Sequence, residues 1–405
     1  MIGISRLYLG ESEKSDSLRY VGGGKTPFSG RHRRPVVVWN ATARCNLQCM
    51  HCYAHATGAR GADELSGGEA RAMIDDLAAF GCPVLLFSGG EPLLRNDVPE
   101  LIRYAVSRGL RAVVSTNGTV ISDDLARRLQ EAGAAYVGVS LDGLRETHNR
   151  FRRRNDAFDL ALEGIRACRR VGVKVGLRLT MTRTNFGDLP GMFDLIRNEA
   201  IPRVCFYHLV YSGRGADLRE ADLSHAQTRT AVDRIVDFAA EDRRRGERRE
   251  VLTVDNACDG PYLYMRMLRE RHPDAGRVLD LLRANGGNSS GIGIACVSWD
   301  GTVYPDQFWR NHPLGNIRER PFSAIWADDS IEWLARLRNR EAHLNARCMG
   351  CRFLDACRGN FRARAEAACG DPWACDPACY LTDAEIAPST DEVAVDAPLL
   401  DINGG

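Results

Sequence analysis

Two groups of cysteines carry spacings that suit thiolate chemistry. Cys45, Cys49 and Cys52 form a C-x3-C-x2-C run, while Cys348, Cys351 and Cys357 form C-x2-C-x5-C with Cys379 further on. Three thiolates as close as the first set can hold three irons of a 4Fe–4S cube and leave the fourth without a protein ligand. That open iron can be chelated by a molecule carrying an amine and a carboxylate. Structural zinc is the alternative, since it wants four nitrogen or sulfur ligands and His51 or His55 can complete the set. The second set is a full complement for one 4Fe–4S cluster or for a zinc knuckle, because C-x2-C alone does not separate them. Cys369 and Cys375 stand near enough to replace Cys379, and Cys296 lies between the two sets. Cys82, Cys168, Cys205 and Cys258 are isolated along the chain and read as buried structural thiols.

Such groups need a scaffold, and the apolar pattern predicts one. Short β-branched runs at 35–40, 83–88, 111–116, 136–141, 173–180 and 203–209 alternate with stretches of helical spacing at 66–80, 97–108, 122–132 and 156–171. Six strands separated by helices imply parallel β/α units, an α/β fold closing into an open, partial (β/α)6 TIM-like barrel. The first cysteine run follows the first strand directly. In parallel barrels the loops at the carboxyl ends of strands form the mouth of the active site. Ser88-Gly89-Gly90-Glu91-Pro92 follows strand two, Ser115-Thr116-Asn117-Gly118 strand three and Ser140-Leu141-Asp142-Gly143 strand four. Taken singly, each is an ordinary turn; in register with the strand count, they face one mouth.

The rest of the chain divides by composition. Residues 1–34 read as an extension ahead of the barrel (35–221), and 222–290 as a helical linker with an arginine-rich solvated face. Residues 291–386 form a small cysteine-rich α+β domain opening on a hairpin at Asp300-Gly301, and 387–405 a mobile tail. Lysine plus arginine (54) nearly balance aspartate plus glutamate (53), so charge points to neither nucleic acid nor membrane. The amino terminus has no apolar h-region and no run is long enough to span a bilayer. With fourteen cysteines, that favours a cytoplasmic metalloprotein over a disulfide-stapled secreted one.

Over residues 36 to about 215, the C-x3-C-x2-C run, the GGEP segment and the strand-end SxDG resemble the radical S-adenosylmethionine (SAM) superfamily. The second set resembles its SPASM-type, twitch-like auxiliary domain. The resemblance implies a SAM-binding 4Fe–4S cluster on Cys45, Cys49 and Cys52, reduced by a low-potential flavodoxin- or ferredoxin-like donor. One electron then breaks the S–C5′ bond of SAM and releases a 5′-deoxyadenosyl radical. By the same resemblance Ser88, Gly89, Gly90 and Glu91 serve the SAM amino group, and Ser115 and Asn117 lie beside the cofactor. Ser140 and Asp142 reach the ribose and methionyl moiety, and His51 sits beside the adenine. One auxiliary 4Fe–4S cluster is expected on Cys348, Cys351, Cys357 and Cys379. A second is not, because Phe361 and Arg320 stand where further cysteines belong.

Substrate is harder to read. Arg178, Tyr207, His208 and Arg214 belong to the mouth by strand count, with Tyr211 nearby, and Trp309, Arg310 and His312 follow the hairpin. A flat substrate rich in carboxylates suits these residues, although packing and buried ion pairs suit them too. PVVVWNATARCNLQCMHCYAHA, RVCFYHLVYSGRG and GIGIACVSWDGTVYPDQFWR are similar to the tetrapyrrole-modifying members of the superfamily. That implies removal of two acetate side chains from 12,18-didecarboxysirohaem to give Fe-coproporphyrin III. Competing readings are propionate removal as in d-type haem biosynthesis, SPASM-type peptide modification and a non-catalytic metal scaffold. The short amino-terminal segment argues against the peptide reading.

Overall fold

The computed structural model describes residues 1–20, 34–59, 61 and 63–388, and shows one continuous sheet of eleven strands. In chain order they are β1 (Ile2–Gly3), β2 (Val36–Asn40), β3 (Val84–Ser88), β4 (Arg111–Thr116), β5 (Tyr136–Ser140) and β6 (Val175–Met181). After them come β7 (Arg203–His208), β8 (Glu250–Val254), β9 (Ile294–Val297), β10 (Thr302–Tyr304) and β11 (Gly315–Asn316). The order across the sheet is β1-β8-β7-β6-β5-β4-β3-β2-β9-β10-β11, so β1 and β11 form its edges and the barrel stays open. β2 to β7 pair in parallel with their sequence neighbours, as the β/α alternation requires.

Local chemistry explains the helices between these strands. Ser66 and Glu69 form a reciprocal capping box ahead of Gly67–Phe80, and Ser122 caps Asp123–Glu131. Ala157–Arg170 buries Phe158, Ala161, Leu162, Ile165 and Cys168, a stripe at helical spacing. Trp39, Phe87, Val114, Val137, Leu177 and Phe206 lie in one continuous core, each fully shielded from water. Burying a large apolar side chain contributes roughly 1.5–3 kcal/mol. The core therefore fixes the strand ends that carry the site.

Three segments differ from expectation. The stretch read as a helical linker contains β8, which pairs in parallel with β7 and extends the sheet. Its five-residue run EVLTV lies between the helices His225–Arg244 and Asp259–Arg269 and is buried throughout. The amino-terminal extension closes that edge: β1 pairs antiparallel with β8, and Arg19 forms ion pairs with Asp16 and Glu250. At the other end β9 pairs in parallel with β2, so the cysteine-rich region continues the barrel sheet. Most of the expected tail, 389–405, lies outside the described residues, as do 21–33 of the extension. Among the described residues, no helix is long and apolar enough to cross a membrane.

Candidate active site and auxiliary metal centre

A cleft opens at the carboxyl ends of the strands. Its wall brings together Cys45, Cys49, His51 and Cys52 after β2, and Ser88, Gly89 and Gly90 from β3 and the turn beyond it. Ser115 and Asn117 come from the end of β4, Ser140 and Asp142 from the end of β5. Arg178 on β6 and Tyr207 and His208 on β7 join them, leaving Glu91 and Arg214 as the expected residues that do not.

The cysteine loop is pinned at its base, where the Cys45 amide donates to the Thr57 carbonyl at 2.7 Å. Its neighbour is the glycine pair. The Gly90 and Glu91 amides donate to the Thr42 and Arg44 carbonyls, both at 2.8 Å. A Cβ on Gly90 would lie 2.3 Å from the Arg44 carbonyl oxygen, so this glycine is required for loop-to-loop docking. Gly90→Ala is expected to push the cysteine loop off its seat, at about 1–3 kcal/mol of overpacking strain. A lower melting temperature together with reduced iron uptake on reconstitution is the signature to measure.

Glu91 is not on the wall. It is fully buried beneath it, and accepts from the Leu93 and Asn117 amides and the Thr116 hydroxyl at 3.1, 2.8 and 2.8 Å. Burial pushes its carboxyl up to about 7, against the pull of these three donors. Its place is to tie the turn after β3 to the end of β4. Asn117 donates in turn to Asn46 at 2.9 Å and reaches the Cys45 sulfur at 3.8 Å.

The strongest electrostatic feature was not foreseen. Arg152, last residue of the helix Arg145–Arg152, donates to the Asp142 carboxylate and to the Cys49 sulfur, the latter at 3.3 Å. Asp142 also accepts from the Thr180 amide at 2.8 Å and lies 3.5 Å from His51 Nε2. Burial works to raise Asp142, but Arg152 foremost, with the Thr180 amide, holds the carboxyl below its ordinary value. Burial pushes His51 down to about 4, so its ring is neutral near pH 7, and its Nδ1 is buried without a partner. His148, likewise pushed down to about 3 by burial, accepts the Asp142 amide on Nδ1 at 2.9 Å.

Arg178 stays in the cleft, its Nε donating to the Tyr207 hydroxyl at 2.9 Å and its Nη1 to Ser115. Gly138 on β5 makes room for it, since a Cβ there would lie 2.9 Å from Arg178 Cδ. His208 Nε2 and Asp259 Oδ2 are 2.8 Å apart, and the Tyr380 hydroxyl donates to the other Asp259 oxygen at 2.8 Å. Arg214 is not on the wall. Its guanidinium donates to the Cys49 and Ala56 carbonyls at 2.8 and 3.0 Å and so clamps the cysteine loop. Tyr211 is bonded to Asp222. Trp309 and His312 are bonded to Glu366 behind the cleft, and Arg310 lies over Trp299. In their place Gln307 and Phe308 close the mouth, Phe308 standing edge-on to Tyr53 at 5.2 Å.

A second cavity, of about 410 Å³, is lined by Cys348, Cys351, Cys357 and Cys379, the four expected thiols. Cys258 and Cys375 line it as well. Cys258 is therefore not an isolated thiol: it is fully buried and shares this cavity wall with Cys357 and Cys379. The Cys258 S–H, with Arg347, brings Cys379 down to about 6 against burial. Cys296 lies on β9 against the Asn40 side chain, and Cys369 is exposed, so neither reaches this cavity. Phe361, buried against Phe308, and Arg320, bonded at the surface to Asp328, occupy the two positions where the resembled pattern has further cysteines. Among the described residues, no three His, Cys, Asp or Glu side chains are arranged to hold a single metal ion. Thiols spread around a cavity suit a cluster better than zinc.

Residues 39–196 match the family model of the radical SAM superfamily, and 290–352 that of the SPASM iron–sulfur cluster-binding domain. The chain is 55% identical to the Fe-coproporphyrin III synthase of Methanosarcina barkeri, across 95% of this chain and 99% of that protein. This chain belongs to the radical SAM superfamily. The pre-haem d1 synthase of Dinoroseobacter shibae is 41% identical, over 88% of this chain and 89% of that protein. Among solved structures, anSMEcpe with bound AdoMet and the Cp18Cys peptide shares the fold, with a TM-score of 0.65 at 20% identity. It covers 86% of this chain and 94% of that chain. As a radical SAM enzyme with a SPASM domain, the chain uses SAM and 4Fe–4S clusters. The open-sided thiol set in the cleft fits a cluster that leaves one iron to SAM.

Proposed function

We propose that this radical SAM enzyme removes the two acetate side chains of 12,18-didecarboxysirohaem and releases Fe-coproporphyrin III. The observation that carries the reading is the 55% identity to Fe-coproporphyrin III synthase over almost the whole of both chains, against 41% for pre-haem d1 synthase. In this reading the enzyme is cytoplasmic and takes electrons from a flavodoxin- or ferredoxin-like donor. Cys45, Cys49 and Cys52 would hold the SAM cluster, which would supply the electron that cleaves SAM for hydrogen abstraction. Asp142, Ser140, His51 and the turn Ser88–Gly90 then contact SAM, with Glu91 and Arg152 fixing them from behind. Cys348, Cys351, Cys357 and Cys379 hold the auxiliary cluster.

Arg178 is the residue we assign to a substrate carboxylate. Its fork is held on one side by Tyr207 and Ser115, which pre-orients it, and a planar guanidinium meets a carboxylate in two bonds. Arg178→Lys keeps the charge and loses the fork. Tetrapyrrole affinity should fall by roughly 1–3 kcal/mol, with SAM binding nearly unchanged. Titration with didecarboxysirohaem, followed by its visible absorption, measures this. The function itself is tested by anaerobic incubation with didecarboxysirohaem, SAM and reductant. A product mass short of two acetates supports the reading. Loss of propionate groups, or 5′-deoxyadenosine formed with no change in the tetrapyrrole, rejects it.

A further inference from the structure

Among the described residues, the imidazoles of His51 and His208 line the cleft, and they differ in what their ring nitrogens face. His51 Nε2 lies 3.5 Å from the Asp142 carboxylate, and its Nδ1 is sealed in without a partner. His208 stands at the end of β7, its Nε2 2.8 Å from Asp259 Oδ2. Its Nδ1 makes no hydrogen bond among the described residues. Yet that nitrogen is not sealed off as His51 Nδ1 is, so it keeps access to the cleft.

Asp259 decides which nitrogen carries the proton. It is fully buried in the first turn of the helix Asp259–Arg269, and the Tyr380 hydroxyl donates to its other oxygen at 2.8 Å. A neutral His208 ring therefore keeps its proton on Nε2 and presents a lone pair on Nδ1. Metal-ligating histidines are built in this way: the second ring nitrogen donates to a carboxylate, which orients the ring and raises its basicity. The surroundings suit a flat metal chelate rather than a lone ion. Leu209, Val210 and Phe308 line the same cleft, with Arg178 on the neighbouring strand. Among the described residues, no three His, Cys, Asp or Glu side chains gather around a single ion. One imidazole among apolar neighbours fits an iron whose in-plane ligands come from a macrocycle. Asp255 also lines the cleft, but carboxylate suits harder cations and imidazole suits iron.

We propose that His208 Nδ1 is the axial ligand to the iron of the substrate, with Asp259 and Tyr380 holding the ring in place to bind it. The inference rests on the iron tetrapyrrole reading above and deepens it. An axial bond fixes the centre of a flat ring but leaves it free to turn about that bond. Arg178, meeting a carboxylate at the rim, stops the rotation. Together the two contacts select which edge of the ring faces SAM.

The test is pulsed EPR of ferric Fe-coproporphyrin III bound to the reconstituted, oxidised full-length enzyme, prepared with isotopically labelled histidine nitrogen. Both 4Fe–4S clusters are diamagnetic in that state, so the signal belongs to the tetrapyrrole iron. A coupling from labelled histidine should appear in the wild type. His208→Gln keeps a donor for Asp259 but lacks the imidazole, so the coupling should vanish while iron content stays at about eight per chain. His208→Ala leaves a space that added imidazole can fill, and imidazole should bring back the wild-type absorption spectrum. Affinity is a separate readout. The wild type should hold Fe-coproporphyrin III about tenfold more tightly than iron-free coproporphyrin III, and His208→Gln should hold both alike. If both porphyrins bind but no histidine coupling appears, or it survives in His208→Gln, the proposal is overturned and the tetrapyrrole reading stands. If neither porphyrin binds the wild type, that reading falls and the inference falls with it.

Discussion

Replacing Cys45, Cys49 and Cys52 together by alanine should abolish SAM cleavage and leave about four of about eight irons per chain. The two thiol sets line separate cavities with no shared residue, so losing one leaves the other complete. The folding cost should be modest. These cysteines form a small apolar cluster of their own with Leu47 and Ala56, apart from the main core around Trp39 and Phe87. Iron and sulfide analysis after anaerobic reconstitution, with 5′-deoxyadenosine measured by chromatography, checks both halves. Complete loss of iron would make the centres interdependent, and residual SAM cleavage would place SAM activation elsewhere.

The scaffold of this site was legible because its strands are short β-branched runs that cannot be mistaken for amphipathic helices. Motifs at the ends of β2 to β5 therefore fell on one cleft wall, as counting strands implied. β8 was not legible. A five-residue run with three apolar residues, directly after RRRGERR and between two true helices, carries too few residues for its period to show. Missing it hid the segment beyond its carboxyl end, where Asp255 reaches the cleft and Cys258 the auxiliary cavity. Recognised as a strand, EVLTV would have placed DNACDG at the mouth, and Cys258 among the candidates. Arg214 shows a different limit. Its loop was placed correctly, but strand counting says nothing of side-chain direction, and backbone carbonyls of the cysteine loop claim its guanidinium.

Arg152 is the residue whose removal should cost the fold most around the site. From His148, helical spacing puts Phe151 and Arg152 on one face, and all three are buried; sequence alone did not single out which arginine of RFRRR turns inward. The Arg152 side chain is 7% exposed and that of Asp142 1%, so neither charge has water to fall back on. Arg152→Met keeps much of the volume and deletes the cation. Asp142 would keep the Thr180 amide and a neutral His51, too little to compensate a buried carboxylate. The expected loss is about 3–5 kcal/mol, the usual consequence of breaking a buried pair by removing one partner. The carboxyl would also lose the largest of the pulls that hold it below its ordinary value, and its protonation should rise toward neutral pH. Asp142→Asn introduced into Arg152→Met should recover part of the stability, because the stranded charge is what costs. The four proteins of that cycle, compared by anaerobic urea denaturation of the iron-free chain, give a coupling energy directly. If Arg152→Met is tolerated within about 0.5 kcal/mol, or the two changes simply add, the pair does not bind the site together. SAM affinity is the second reading of the same cycle. It should fall in every variant, because the strand-end residues Ser140 and Asp142 lose the clamp that aims them into the cleft.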